Sequence, residues 1–165
     1  MFDFLKNIFG KNSTCESSNC CGGNSCNSII DIKNDLNLTE KDLDIISKLD
    51  SKIVIGKVQE LSDHSDPKIT KVKVSKTEIA PGVVEQVLCG GVNLKVGDTV
   101  AVATVGAKLS EDFEIGVRKI RGEESRGMIC ARSELGLSPA DEEKGQIWQL
   151  PEDYQMLLGK SLKDL

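Results

Sequence analysis

Five cations crowd the stretch "RKIRGEESRGMICAR", residues 118–132: Arg118, Lys119, Arg121, Arg126 and Arg132, opposed there only by Glu123 and Glu124. Lys and Arg gathered in this way displace counterions from phosphates, so the chemistry on offer is polyanion binding. A second basic run extends from Lys52 to Lys76 and carries Lys71 and Lys73. Residues two apart share one face of a strand, which pairs Lys71 with Lys73 and Lys119 with Arg121. Gly122 and Gly127 bracket "EESR" and let the backbone turn, so that a sugar–phosphate chain can approach it closely. Asn93 brings a donor and an acceptor for a ribose or a base edge. The 165-residue chain nevertheless has a net charge of -5. Much of its acid falls in "SEDFE", "ADEEKG" and "PEDY", which have the composition of loops. Cations on strands and acids on loops leave room for a polyanion site on an acidic protein.

Cys15, Cys20, Cys21 and Cys26 follow the pattern C-x4-C-C-x4-C. Four thiolates this close can wrap one soft ion, Zn(II) or Cu(I). Redox-labile disulfides, or a linker whose cysteines carry no function, are the alternatives. Cys89 and Cys130 sit in apolar runs and read, with Met128, as core. His64, the sole histidine, lies in a polar loop beside Asp63 and Asp66 and reads as a solvated side chain rather than a base. No Walker A pattern, zinc-protease helix or nucleophile elbow is present, so catalysis is not expected and no cofactor is required.

The elements that would carry these groups change in texture along the chain. Residues 1–35 open with Phe2, Leu5 and Phe9 at helical spacing, then become rich in Ser, Asn, Gly and Cys, a composition that predicts a flexible tail. Residues 36–51 predict a helix over "LTEKDLDIISKLD", with Thr39 as N-cap and Leu43, Ile46 and Leu49 as an apolar stripe for docking on the domain or on another chain. Residues 52–165 predict short strands at "KIVIGKVQEL", "ITKVKVSKT", "VEQVLCG", "DTVAVATV", "EIGVRKIRG", "RGMICA" and "QIWQL", with a short helix at "SELGL". Strands at this spacing, with Pro and Gly turn signals between them, indicate a small β barrel or sandwich. No apolar run is long enough to span a membrane, and "MFDFLKNIFGK" lacks the pattern of a signal peptide, so a cytoplasmic protein without stable membrane insertion is expected.

The pieces "VIGKV", "VLCGGVN", "GDTVAVATVGAKL", "RKIRGEESRGMIC" and "SELGL", in that order, resemble the tRNA-binding OB domain. That domain occurs in the β subunit of bacterial phenylalanyl-tRNA synthetase and in free-standing tRNA-binding proteins. "GQIWQLPED" and "LLGKSLKDL" are similar to the synthetase version in particular. The loop "HSDPKI" is slightly shorter than the family's, and Ala131 stands where a serine is usual. The chain does not run on into catalytic-subunit sequence, so a free-standing module is expected.

The resemblance implies a mainly β protein, a five-stranded OB barrel with short helices, preceded by the flexible extension and one helix. It implies a non-catalytic tRNA binder that assists an aminoacyl-tRNA synthetase in trans. The expected RNA-binding residues are Lys71, Lys73, Asn93, Lys108, Lys119, Arg121, Ser125, Arg126 and Arg132. The barrel's only aromatics are Phe113, Trp148 and Tyr154, none on the basic strands, which favours reading RNA by shape and backbone over base stacking. Two rivals come from other classes. One is a homodimeric, chaperone-like protein-interaction module; the other is a metal-binding protein acting through the cysteine tail.

Overall fold

The computed structural model describes residues 33–139 and 144–165. The opening amphipathic segment and the four tail cysteines, with the metal site expected there, lie outside the described residues.

Helix α1 (Glu40–Ser47) begins where Thr39 closes a capping box. The Thr39 hydroxyl accepts from the Asp42 amide at 3.2 Å, and Asp42 Oδ2 accepts from the Thr39 amide at 2.8 Å. These bonds satisfy amides that a helix start otherwise leaves unpaired. Ile46 is buried against the domain, with Leu43 and Leu49 partly buried beside it. The helix therefore docks on its own chain.

The main sheet comprises β1 (Ile53–Asp63), β2 (Lys73–Ala80), β3 (Val83–Cys89), β4 (Thr99–Thr104), β9 (Gly127–Ile129) and β10 (Gln149–Leu150). All its pairings are antiparallel. The first half of β1 pairs with β4 and the second half with β2, and a bulge between Val58 and Glu60 bends the strand from one partner to the other. β4 is also flanked by β9, so the sheet curls into a barrel whose remaining gap lies between β3 and β9. Arg126 N donates to Gln86 O at 2.8 Å across that gap, and Leu88 N donates to Ser125 Oγ at 2.9 Å. The result is a nearly closed OB-type barrel.

Alternation along β1 and β4 explains their continuous apolar runs. Val58, Val100 and Val102 point into the barrel with Val87, Leu94 and Ile129. Ile53, Ile55, Ala101 and Ala103 point outward, under a second layer formed by α1, Trp148, Tyr154 and Leu162. Both faces are covered, so neither strand shows the polar alternation of a half-exposed sheet.

Two small hairpins rise between β4 and β9. One joins β5 (Lys108–Ser110) to β6 (Phe113–Glu114); the other joins β7 (Arg118–Ile120) to β8 (Glu123–Ser125). The expected strand "EIGVRKIRG" thus divides between two hairpins. "SELGL" forms a 3₁₀ turn (Ser133–Leu135) instead of an α-helix, and a second 3₁₀ segment spans Glu152–Leu157. No helix among the described residues is long and apolar enough to cross a membrane.

Candidate nucleic-acid interface

The β7–β8 hairpin turns on two residues, Arg121 with φ 43° and Gly122 with φ 101°. Positive φ at both positions marks a type I′ turn, whose twist matches the strands it joins. Glycine tolerates that conformation; arginine is strained in it. Arg121 reaches across to the β1–β2 loop (64–72), where its Nη1 lies 3.2 Å from Asp66 Oδ2. His64 makes the second link between hairpin and loop. Its Nε2 lies 3.0 Å from Ile120 O, and its Nδ1 accepts from Asp66 N at 2.9 Å. An acceptor nitrogen opposite a backbone N–H and a donor opposite a carbonyl define the neutral Nε2–H tautomer. His64 is therefore buried, contrary to its expected solvation, and its ring is occupied in fastening two loops. A single polar loop residue gives no sign in sequence of this role.

That junction gathers most of the expected cations at one end of the barrel. Lys73 opens β2 and forms an ion pair with Asp63 at the end of β1. Lys119 and Arg121 arrive on the hairpin, and Arg126 follows it, 3.1 Å from both Glu85 and Glu124. Lys119 and Lys71 are exposed and have no ion pair among the described residues. Lys71 is not on β2 as expected. The strand begins two residues later, and Lys71 sits in the preceding bend. The Lys73, Arg121 and Arg126 side chains keep 42%, 62% and 49% of their exposure despite their carboxylate partners. Such surface pairs contribute about 0–1 kcal/mol, so a phosphate can displace the carboxylate. Lys68 N and Arg121 hydrogen bonds hold the Asp66 carboxyl below the usual carboxylate range. Bonds from Ser65 and Gln86 do the same for Glu123, so these acids are ionised at neutral pH.

Four expected contacts lie elsewhere or are consumed by the fold. The Arg132 side chain is only 4% exposed, and its guanidinium donates to the carbonyls of Leu36, Asn37 and Ser138 at 2.8–3.1 Å. It also lies 5.3 Å from the Trp148 ring centroid. Arg132 joins the chain before α1 to the barrel and cannot present its charge to RNA. Ser125 is buried, accepting from Leu88 N and donating to Gly127 O at 2.9 Å each, so its hydroxyl replaces a missing ladder bond at the barrel's closure. The Asn93 amide is paired with the Ile147 backbone at 2.8 and 3.0 Å, which pins the β3–β4 loop to the last strand segment. Lys108 is exposed, but its amide is bound to Asp50 beside the start of β1, the opposite end from the cation group.

Gly127 is bare for a related reason. A Cβ there would stand 3.0 Å from Ala103 O, so the close approach it permits is to β4, not to a sugar–phosphate chain. Phe113 lies on β6, off the basic strands as expected, but its ring meets one of their cations: the Arg118 guanidinium lies 5.4 Å from its centroid. The flanking Glu111, Asp112 and Glu114 are all exposed, which makes this hairpin tip electrostatically poor for RNA.

An OB barrel with exposed cations gathered where the β1–β2 loop meets the hairpins before its last strand is the architecture of a nucleic-acid-binding module. Comparison with known proteins makes this specific. Residues 53–157 match the family described as "Putative tRNA binding domain", and the chain belongs to that family. Among curated proteins it is similar to phenylalanine–tRNA ligase β subunits. The one from Chlorobaculum tepidum is 38% identical over 117 residues, covering 68% of this chain and 14% of the relative. That from Dickeya dadantii is 44% identical over 101 residues, covering 61% and 12% respectively. That from Photorhabdus laumondii is 42% identical over 112 residues, covering 68% and 13%. The chain thus spans only 12–14% of the length of these relatives.

Proposed function

We propose that this chain binds tRNA through ribose–phosphate contacts at the cation-bearing end of the barrel, performs no chemistry on it, and assists a phenylalanyl-type aminoacyl-tRNA synthetase as a separate partner in the cytoplasm. Holding tRNA near the synthetase raises its effective concentration without altering the catalytic site. The observation that carries the reading is the convergence of Lys71, Lys73, Lys119 and Arg121 around the β1–β2 loop, with exposed side chains on a family-matched barrel. Folded RNA presents phosphates and 2′-hydroxyls to such a surface, and the reading needs no aromatic platform.

The test is fluorescence anisotropy of labelled tRNA across a salt series. Lys119→Ala combined with Arg121→Gly should weaken binding and flatten the slope of log K against log salt by about one to two units. Glycine at position 121 keeps the turn, so a change reports lost charge and not a damaged hairpin. A slope unaltered in the double variant removes this surface from the interface. Absence of salt-sensitive binding by the unmodified chain, together with a stable dimer in sedimentation, would replace the RNA reading with protein interaction.

A further inference from the structure

A cleft of about 630 Å³ opens beside the cation group, between the end of β3, strand β9 and the 3₁₀ turn at Ser133–Leu135. Its volume lies in the range that small organic ligands occupy. We infer that this cleft receives an unpaired nucleobase of the bound RNA, with guanine favoured and uracil disfavoured. The inference rests on the tRNA-binding reading and gives that surface a base-reading element.

Leu88, Met128 and Ile147 supply an apolar bed. Met128 is only half-buried, and a thioether packs well against an aromatic face. Gly90 and Gly91 form one wall without side chains, so a planar ring can lie against the backbone. Glu134, an exposed residue, also lines the cleft. Its Oε2 accepts from Ala131 N at 2.7 Å, which fixes the carboxylate, while Oε1 has no partner among the described residues. A fixed carboxylate selects bases whose edge carries N–H donors. Guanine presents two in parallel on its Watson–Crick edge, whereas uracil flanks its single N–H with carbonyls that a carboxylate repels.

The phosphates of such a nucleotide have partners nearby. Lys144 stands in the cleft lining itself. The Lys71 backbone adjoins the glycine wall, its carbonyl 3.8 Å from where a Cβ on Gly90 would be. Lys73 faces Cys89, another lining residue, across the β2–β3 ladder. The cleft therefore adjoins the phosphate contacts already described, and a base turned inward from that backbone would enter it. Base insertion here is an alternative to stacking on Phe113, whose carboxylate neighbours disfavour RNA.

Two substitutions test the cleft in the full chain. Gly90→Leu adds a bulky side chain to the glycine wall; a Cβ at that position meets nothing closer than the Lys71 carbonyl, at 3.8 Å, so the barrel should keep its melting temperature. Glu134→Gln retains a carbonyl for Ala131 N but turns an amide donor toward the ligand. GMP and UMP are titrated while amide chemical shifts are followed, and tRNA affinity is measured across salt. Expected for the unmodified chain are shifts at Gly90, Gly91 and Met128 with GMP, and about tenfold weaker binding of UMP. Gly90→Leu should abolish the shifts and weaken tRNA about tenfold at unchanged salt slope, because no phosphate contact is lost. Glu134→Gln should erase the preference for GMP. The inference is overturned if both variants bind tRNA and GMP as the unmodified chain does, even where Lys119→Ala with Arg121→Gly remains weak. It is likewise overturned if Gly90→Leu blocks binding of an unfolded peptide and leaves RNA binding intact. Failure of the unmodified chain to bind tRNA at any salt would instead defeat the proposed function itself.

Discussion

Two arginines eleven positions apart in one basic stretch have opposite fates, and the difference lies in what surrounds each guanidinium. Arg121 stands at a turn tip, strained in its backbone and lightly held by Asp66. Arg132 is sunk beneath α1 and divides its donors among the carbonyls of Leu36, Asn37 and Ser138. Arg132→Ala removes the guanidinium from these three carbonyls, one of the contacts fully buried and two partly so, while Asp42 keeps its bonds from Thr39 and Ser138. A loss of roughly 1–3 kcal/mol is expected in denaturant unfolding, the cost of leaving such acceptors without a donor. The salt slope of RNA binding by the folded variant should match that of the unmodified chain, and a reduced slope would return Arg132 to the interface. Charge type alone made both arginines candidates in the sequence. Nothing in "CARSEL" distinguishes a buried guanidinium from a solvated one, because its carbonyl partners at Leu36 and Asn37 are remote in the chain. His64 reads as solvated in the sequence for the same reason, its partner Ile120 being contributed by a different hairpin.

Elements whose information is local were legible. Thr39 and Asp42 specify a capping box within four residues, and α1 starts where they place it. The β-branched runs of β1, β3 and β4 likewise emerge near their expected positions. The hairpins between β4 and β9 were not resolved from sequence, because strands of two or three residues carry too little alternation to mark a register. The same cap yields a pH prediction. Burial would raise the Asp42 carboxyl, but bonds from Ser138 N and from the Thr39 amide and hydroxyl outweigh it and hold the group at about 2, against an ordinary 3.8. A carboxyl depressed in the folded state stabilises it fully above the unfolded pKa, and that contribution disappears as pH falls through the folded value. Asp42 should therefore contribute roughly 2 kcal/mol above pH ~5, lost progressively between pH ~4 and ~2. Unfolding free energy measured over that window should fall less steeply in Asp42→Asn than in the unmodified chain. Equal slopes would show that the cap is not the group being titrated.

At the scale of the whole molecule, the net charge of -5 includes acids set among the cations themselves, and not only on loops apart from them as the sequence suggests. Asp63 and Asp66 sit directly on Lys73 and Arg121. This arrangement restrains affinity, since each incoming phosphate must displace a carboxylate already in contact. Such competition favours RNA that engages several cations together over isolated phosphates, which meet a locally neutral surface. Neutralising the competitors should therefore strengthen binding. Asp66→Asn retains the Oδ1 acceptor for Lys68 N, and Asp63 is exposed at the end of β1, so neither change removes a buried contact. Combining Asp63→Asn with Asp66→Asn should tighten tRNA binding about three- to tenfold at low salt, the equivalent of one or two surface ion pairs released. The gain should shrink as salt rises and screens both partners. Anisotropy titrations at two ionic strengths measure it directly. Weaker binding in the double variant would mean that these carboxylates hold Lys73 and Arg121 in their productive orientation, and that the paired state is the one RNA recognises.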